Sequence, residues 1–370
     1  MLYHLFYPLR DLFFGFNLLG YITVRSAAAA LVALLVTLLV GPSIIRRLKR
    51  MQITEEIREY TPETHQKKAG TPSMGGLIVI CAVIVPVLLF ARLDNHYIQL
   101  MVVATLWMGG VGFLDDYLKV VKKYPKGLIA KYKLLGQILL GLVVASVVTF
   151  SPEYAGVRVG AATMDVHWHS SVPFFKYLLI NFGWFYFPMV VFVIAGTSNA
   201  VNLSDGLDGL AIGLVGIATL SWAGMSYVTG RVDFSQYLNI LYFPSAGELT
   251  VYCAALVGAS LGFLWFNNHP ASVFMGDTGA LALGGAMGTM AVLLKKELLL
   301  LLVGGVFAME VLSVILQVGS FRLRGRRIFK MAPLHHHFEL MGWPESQVVV
   351  RFWIVGIILA LLSLGTFKIQ

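Results

Sequence analysis

Residues 98–119 read IQLMVVATLWMGGVGFLDDYLK. From 98 to 114 the only strongly polar side chains are Gln99 and Thr105; the run then meets Asp115 and Asp116, with Lys119 one helical turn on. An apolar run of this length matches the roughly 30 Å of hydrocarbon that a helix must cross. Working outward, comparable blocks recur at about 22–44, 74–91, 133–150, 174–196, 207–228, 248–266, 278–294, 298–318 and 348–366. Continuous blocks of this kind point to helices rather than to the alternating strands of a membrane barrel. The expectation is an all-α, polytopic integral membrane protein with about ten transmembrane helices, forming one domain over residues 1–370. Composition agrees: 58% of residues are apolar and 13% charged, and the mean hydropathy is +0.77, where a soluble domain carries about 25% charged residues. The semi-apolar stretch 229–247 leaves room for a re-entrant piece. Residues 1–20 read as an interfacial lead-in without a small-residue cleavage signal. Cys81 and Cys253 fall inside apolar blocks and have no metal-site spacing.

Charge gives the spans a direction. The odd-numbered loops carry 17 Lys and Arg residues and the even-numbered loops five. The positive-inside rule therefore puts the odd loops in the cytoplasm and both termini outside. The net charge of +9 needs no nucleic acid to explain it. The inward loops, at about 45–73, 115–132, 197–208, 267–277 and 319–347, also hold the acids. Asp115, Asp116, Asp205, Asp208 and Asp277 all emerge on one face. Carboxylates gathered from separate loops suit magnesium, which takes a few protein oxygens together with substrate phosphates. A transporter would instead place polar groups toward the bilayer midplane and show inverted repeats; the ionisable groups here sit mainly at one face.

Each inward loop has its own pattern. In GTSNAVNLSDGLDGLAIG, 196–213, Asn199, Asn202, Asp205 and Asp208 recur at steps of three and would form one polar stripe on a helix. Asp208 is also placed to cap the sixth span. In FNNHPASVFMGDTGA, 266–280, Asp277 precedes a glycine-rich span, and Phe274 in a short polar loop suits stacking on a planar ring. In MAPLHHHFELMGWPE, 331–345, consecutive His335, His336 and His337 cannot all face one point, which excludes a three-histidine zinc site. One imidazole there suits a phosphate contact or proton transfer near neutral pH. Glu310, the lone acid deep in the ninth span, is set apart from the site; an intramembrane carboxylate invites functional suspicion but also suits a bond to a neighbouring helix.

Five motifs together, KKAGTPSMGG (67–76), FLDDYLK (113–119), NAVNLSDGLDGL (199–210), NNHPASVFMGDTG (267–279) and APLHHHFELMGWPE (332–345), make the whole chain resemble the phospho-N-acetylmuramoyl-pentapeptide transferases. The resemblance implies a bacterial inner-membrane enzyme of peptidoglycan synthesis, facing the cytoplasm. It would move a phosphosugar from UDP-MurNAc-pentapeptide to undecaprenyl phosphate, giving lipid I and UMP, with Mg2+ as cofactor and a homodimer as the typical assembly. It implies magnesium on Asp277, with Asp115 and Asp116 near the metal and the reacting phosphates, and Asp205 and Asp208 in the same cavity. Asn202 and Phe274 would contact the nucleotide, Lys68 and Lys119 the phosphates, and His335, His336 and His337 the sugar-phosphate side; Asn267 joins the substrate-binding set. Asp115 is expected to act on the lipid phosphate as general base in a direct attack, against a rival scheme with a covalent aspartyl intermediate.

Overall fold

The computed structural model describes residues 1–51, 70–124, 127–159, 162–175 and 177–369. Ten long helices dominate it. They are α1 Ile22–Arg50, α2 Gly76–Phe90, α3 His96–Asp116, α4 Ala130–Phe150, α5 Tyr186–Ser204, α6 Leu210–Thr229, α7 Leu249–Asn267, α8 Gly276–Leu293, α9 Gly305–Arg324 and α10 Glu345–Ile369. Eight are long and apolar enough to cross a membrane; α2 is shorter, at 15 residues. α8 is not among the eight, although every residue from Thr278 to Leu293 is buried. Its glycines and alanines explain both facts. Small side chains lower its hydropathy, and they let it pack as a central post against α2, α3 and α5.

Two close approaches fix that post. A Cβ on Gly112 of α3 would lie 2.2 Å from the Asp277 carbonyl oxygen, and one on Gly76 of α2 would lie 2.1 Å from the Gly279 amide nitrogen. Only glycine allows these backbones to meet. The Gly112 crossing brings the end of α3, with its two aspartates, onto the first turn of α8. Around the post, α1 packs on α7, and α6 lies between α7 and α10.

Two expectations shift. The fifth helix starts at Tyr186, not 174, and runs to Ser204, because Leu179–Asn181 is a strand (β4) paired antiparallel with His169–Ser171 (β3). A second small hairpin pairs Val157–Val159 (β1) with Ala162–Met164 (β2). The stretch 229–247 holds a short helix, Val232–Leu238, with exposed Arg231 and Asp233 paired to each other. α1 and α9 run on to Arg50 and Arg324, so part of the basic charge ends helices instead of lying in loops, a placement the helix dipole favours.

Candidate active site

The site forms where α8 begins. Asp116, the last residue of α3, takes the Asp277 N–H on Oδ1 at 3.1 Å. Its Oδ2 takes the Thr278 N–H at 2.8 Å and the Thr278 hydroxyl at 2.6 Å. Asp116 is thus the cap of α8, supplied from a neighbouring helix, and it satisfies first-turn amides that a helix cannot satisfy itself. Gly276, at φ +73, makes the turn that lets this happen.

Asp115, one residue earlier, points into the cluster. Its Oδ1 accepts the Leu128 N–H at 2.6 Å, and its Oδ2 lies 2.5 Å from Lys119 Nζ and 2.7 Å from Lys133 Nζ. Both ammoniums also reach Asp277 Oδ2, Lys119 at 3.1 Å and Lys133 at 2.6 Å. The other Asp277 oxygen accepts from the Asn202 amide at 2.8 Å. Two carboxylates from α3 and α8 therefore share two lysines, one following α3 and one from the first turn of α4. Exposure separates them: the Asp115 side chain is fully buried, Asp277 is 15% exposed, and Lys133 and Lys119 are 21% and 33% exposed. Asp277 and the lysines face outward, while Asp115 holds them from behind.

The donor set fits a hard divalent cation. Oxygens of Asp115, Asp116 and Asp277 lie within 4.8 Å of one another, and carboxylate oxygen is the ligand magnesium prefers. Asp116 is held by the amides and the Thr278 hydroxyl of α8, whereas Oδ2 of Asp277 and of Asp115 face lysine ammoniums that a cation can replace. These two are therefore the better placed ligands, and the two ammoniums show that the cluster draws positive charge.

The expected polar stripe breaks in two. Asn199 donates to Gln137 and Asn202 to Asp277, but α5 ends at Ser204. Asp205 is its C-terminal cap residue, and the turn through Gly206 and Gly209 (φ +79) sends Asp208 elsewhere. Asp208 Oδ2 accepts the Ala271 N–H at 3.1 Å and lies 3.2 Å from His269 Nδ1, which is 3.4 Å from Glu345 Oε2. Asp208, His269 and Glu345 form a second group with metal-ligand spacing. The Gly209 N–H at the start of α6 is taken by Asn267 Oδ1 at 3.1 Å, so Asn267 and not Asp208 fills that capping position. Asn267 also donates to the Val273 carbonyl and is buried; both ends of its amide are used inside the protein.

The three histidines diverge, as expected of neighbours in the short helix Leu334–Glu339. His335 is buried with Nδ1 3.2 Å from Glu310, His336 Nδ1 lies 2.8 Å from Glu339, and His337 Nδ1 accepts the Lys330 N–H. The set-aside Glu310 is thus the partner of His335. The other edge of that ring faces Gly206, where a Cβ would lie 2.4 Å from Nε2. Phe274 is half-buried, and its backbone is pinned at both ends, N–H to Pro72 and carbonyl to Gly75. Lys68 lies outside the described residues.

Lys133 was missed in the sequence. It sits at the edge of an apolar block, where a lysine ordinarily reads as an interfacial anchor, although its spacing from Lys119 is compatible with a shared site.

The profile of glycosyl transferase family 4 matches residues 98–295, a stretch that contains Asp115, Asp116, Lys119, Lys133, Asn202 and Asp277. The chain is also similar to the phospho-N-acetylmuramoyl-pentapeptide-transferases of Gemmatimonas aurantiaca, Thermodesulfovibrio yellowstonii and Desulfotalea psychrophila. The identities are 54%, 52% and 51%, each over the full length of both proteins. With more than half of the chain matched by the profile and the whole of it aligned at this identity, the chain belongs to glycosyl transferase family 4 and, within it, to the phospho-N-acetylmuramoyl-pentapeptide-transferases.

Proposed function

We propose that the chain transfers phospho-MurNAc-pentapeptide from UDP-MurNAc-pentapeptide to undecaprenyl phosphate, releasing UMP and forming lipid I at the cytoplasmic face of a bacterial inner membrane. The observation that carries this reading is the sharing of Lys119 and Lys133 between Asp115 and Asp277 at the start of α8. Two phosphate-bearing substrates repel each other, and two fixed ammoniums offset that repulsion. They also stabilise charge that develops on the phosphoryl oxygens. The acceptor phosphate is already mostly ionised near neutral pH, with a second pKa of about 6, and so needs little help from a base. The burial of Asp115 then favours for it the part of anchoring the two lysines. A carboxylate with three donors and no exposure is also a poor nucleophile, which favours direct attack over an aspartyl intermediate.

Mg2+ held by Asp277, with Asp115 behind it, would add Lewis-acid neutralisation of the diphosphate. Asn202, bonded to Asp277, fixes the orientation of that carboxylate. Phe274, on a loop tied to residues 72–75, offers a ring to the uracil. A homodimer belongs to the same reading and is measurable as the mass of the detergent-solubilised particle.

The test gives purified protein undecaprenyl phosphate and Mg2+ with either UDP-MurNAc-pentapeptide or UDP-N-acetylglucosamine. UMP release from the first donor alone is expected. Release from the second alone would retain the chemistry and refute the donor assignment. With a donor chiral at the β-phosphorothioate, direct attack requires inversion at phosphorus, and retention would establish the covalent route.

A further inference from the structure

At about 1.5 Å per residue, the run of α8 from Asp277 to Leu293 puts its far end about 24 Å from Asp277. There Lys295, Lys296 and Glu297 are consecutive and buried. Two of them are accounted for. Lys295 Nζ donates to the His167 carbonyl at 2.6 Å and the Tyr186 hydroxyl at 2.8 Å. Glu297 accepts from Ser170 at 2.6 Å and from Tyr186 at 3.0 Å. Lys296 turns the other way. It is 4% exposed, and among the described residues no acceptor hydrogen-bonds its ammonium, whose close neighbour is the Phe367 ring at 4.5 Å. The anion nearest in sequence, Glu297, acts on it only at a distance and already accepts from Ser170 and Tyr186, and a buried ammonium without a hydrogen-bond acceptor is costly.

Lys296 lines a cavity of about 350 Å³, and Arg158 of β1 lines it as well. Gln236 and Tyr242 add neutral polar groups, Leu179 and Ile240 an apolar wall, and none of the lining residues is acidic. Two cations in a cavity whose lining holds no acid call for an anion of more than one charge, which a phosphate monoester is, at about −1.5 to −2. The apolar wall calls for a hydrocarbon beside it. The rim agrees: Phe175 and Tyr177, which line the cavity, are exposed, as aromatics are at a membrane–water interface.

We propose that this cavity, on the face opposite the catalytic cluster, is a second binding site that takes the phosphate of an amphiphile, with Lys296 at its base and Arg158 at its mouth. Burial pushes the Lys296 ammonium down to about 8, which leaves it mostly charged at neutral pH. The site is separate from the transfer reaction and stands whether or not the donor assignment above is right.

The test is hydrogen–deuterium exchange on the full-length protein in neutral detergent, titrated with decyl phosphate, inorganic phosphate or decyl maltoside. Decyl phosphate should protect peptides covering 157–159 and 232–242, and decyl maltoside should not. The midpoint should rise at least tenfold in Lys296→Met and about threefold in Arg158→Gln, an exposed position that leaves folding undisturbed. Lys296→Met should keep wild-type UMP release, which shows that it is folded. If inorganic phosphate protects at the same concentration as decyl phosphate, the occupant is free phosphate; if only decyl phosphate protects, it is a lipid headgroup. No protection by either phosphate, or an unchanged midpoint in both variants, would overturn the site.

Discussion

The two ends of α8 hold the same kinds of group and use them differently. At its start, Lys119 and Lys133 bridge Asp115 and Asp277, and three of these four side chains keep some exposure. At its far end, Lys295 and Glu297 are buried and bound through Tyr186, Ser170 and a backbone carbonyl. The first cluster can exchange its partners for a substrate or a cation. The second is closed, and its hydrogen bonds tie the β3 hairpin and α5 to the end of the post. Charge alone does not mark a catalytic site; charge with exposure and interchangeable partners does.

The largest effect should come from Asp277→Asn. It should lower UMP release at least about a thousandfold, or about 4 kcal/mol of transition-state stabilisation, with the unfolding temperature kept. Glu297→Gln should do the reverse, costing about 3 kcal/mol of stability by leaving a buried lysine short of its counter-charge, with turnover retained in the folded fraction. If Glu297→Gln lost activity without losing stability, the two ends would not differ as described.

Lys133→Met should lower turnover about a hundredfold, within the range for one preorganised electrostatic contact. Asp116→Ala should move both readouts: loss of the α8 cap costs about 2 kcal/mol of stability, and the displaced first turn carries Asp277 with it. The smallest effect concerns pH. The folded state holds Lys296 at about 8 against an ordinary lysine value of 10.5, so the unfolded chain binds more protons between those two values. Stability should therefore rise with pH across that window, and the rise should shrink in Lys296→Met when melting is followed from pH 8 to 10.5.

The helices were legible because each apolar block must satisfy its own backbone in lipid, and that constraint leaves a mark in almost every residue. The fifth block misled because 174–181 is apolar enough to continue a span, whereas the β3–β4 hairpin is a backbone pairing that hydropathy does not encode. In the site, Asp115 and Asp277 came from placement at span ends and Lys119 and Asn202 from the resemblance, and the structure brings the four together. Asp116, its neighbour, could not be told apart from Asp115 in sequence. Its capping role depends on α3 crossing α8 at Gly112. Lys133 was hidden by its position at a helix start; Glu310 stood out as an intramembrane acid, but no local sign named His335 as its partner.

The central claim is that the carboxylates at the start of α8, and not the second group of Asp208, His269 and Glu345, hold the divalent ion. The direct measurement is Mn2+ binding to the purified protein by electron paramagnetic resonance, in wild type, Asp277→Asn and Asp208→Asn. The account predicts one tight site, lost in Asp277→Asn and retained in Asp208→Asn. A site that survives Asp277→Asn and disappears in Asp208→Asn would contradict it.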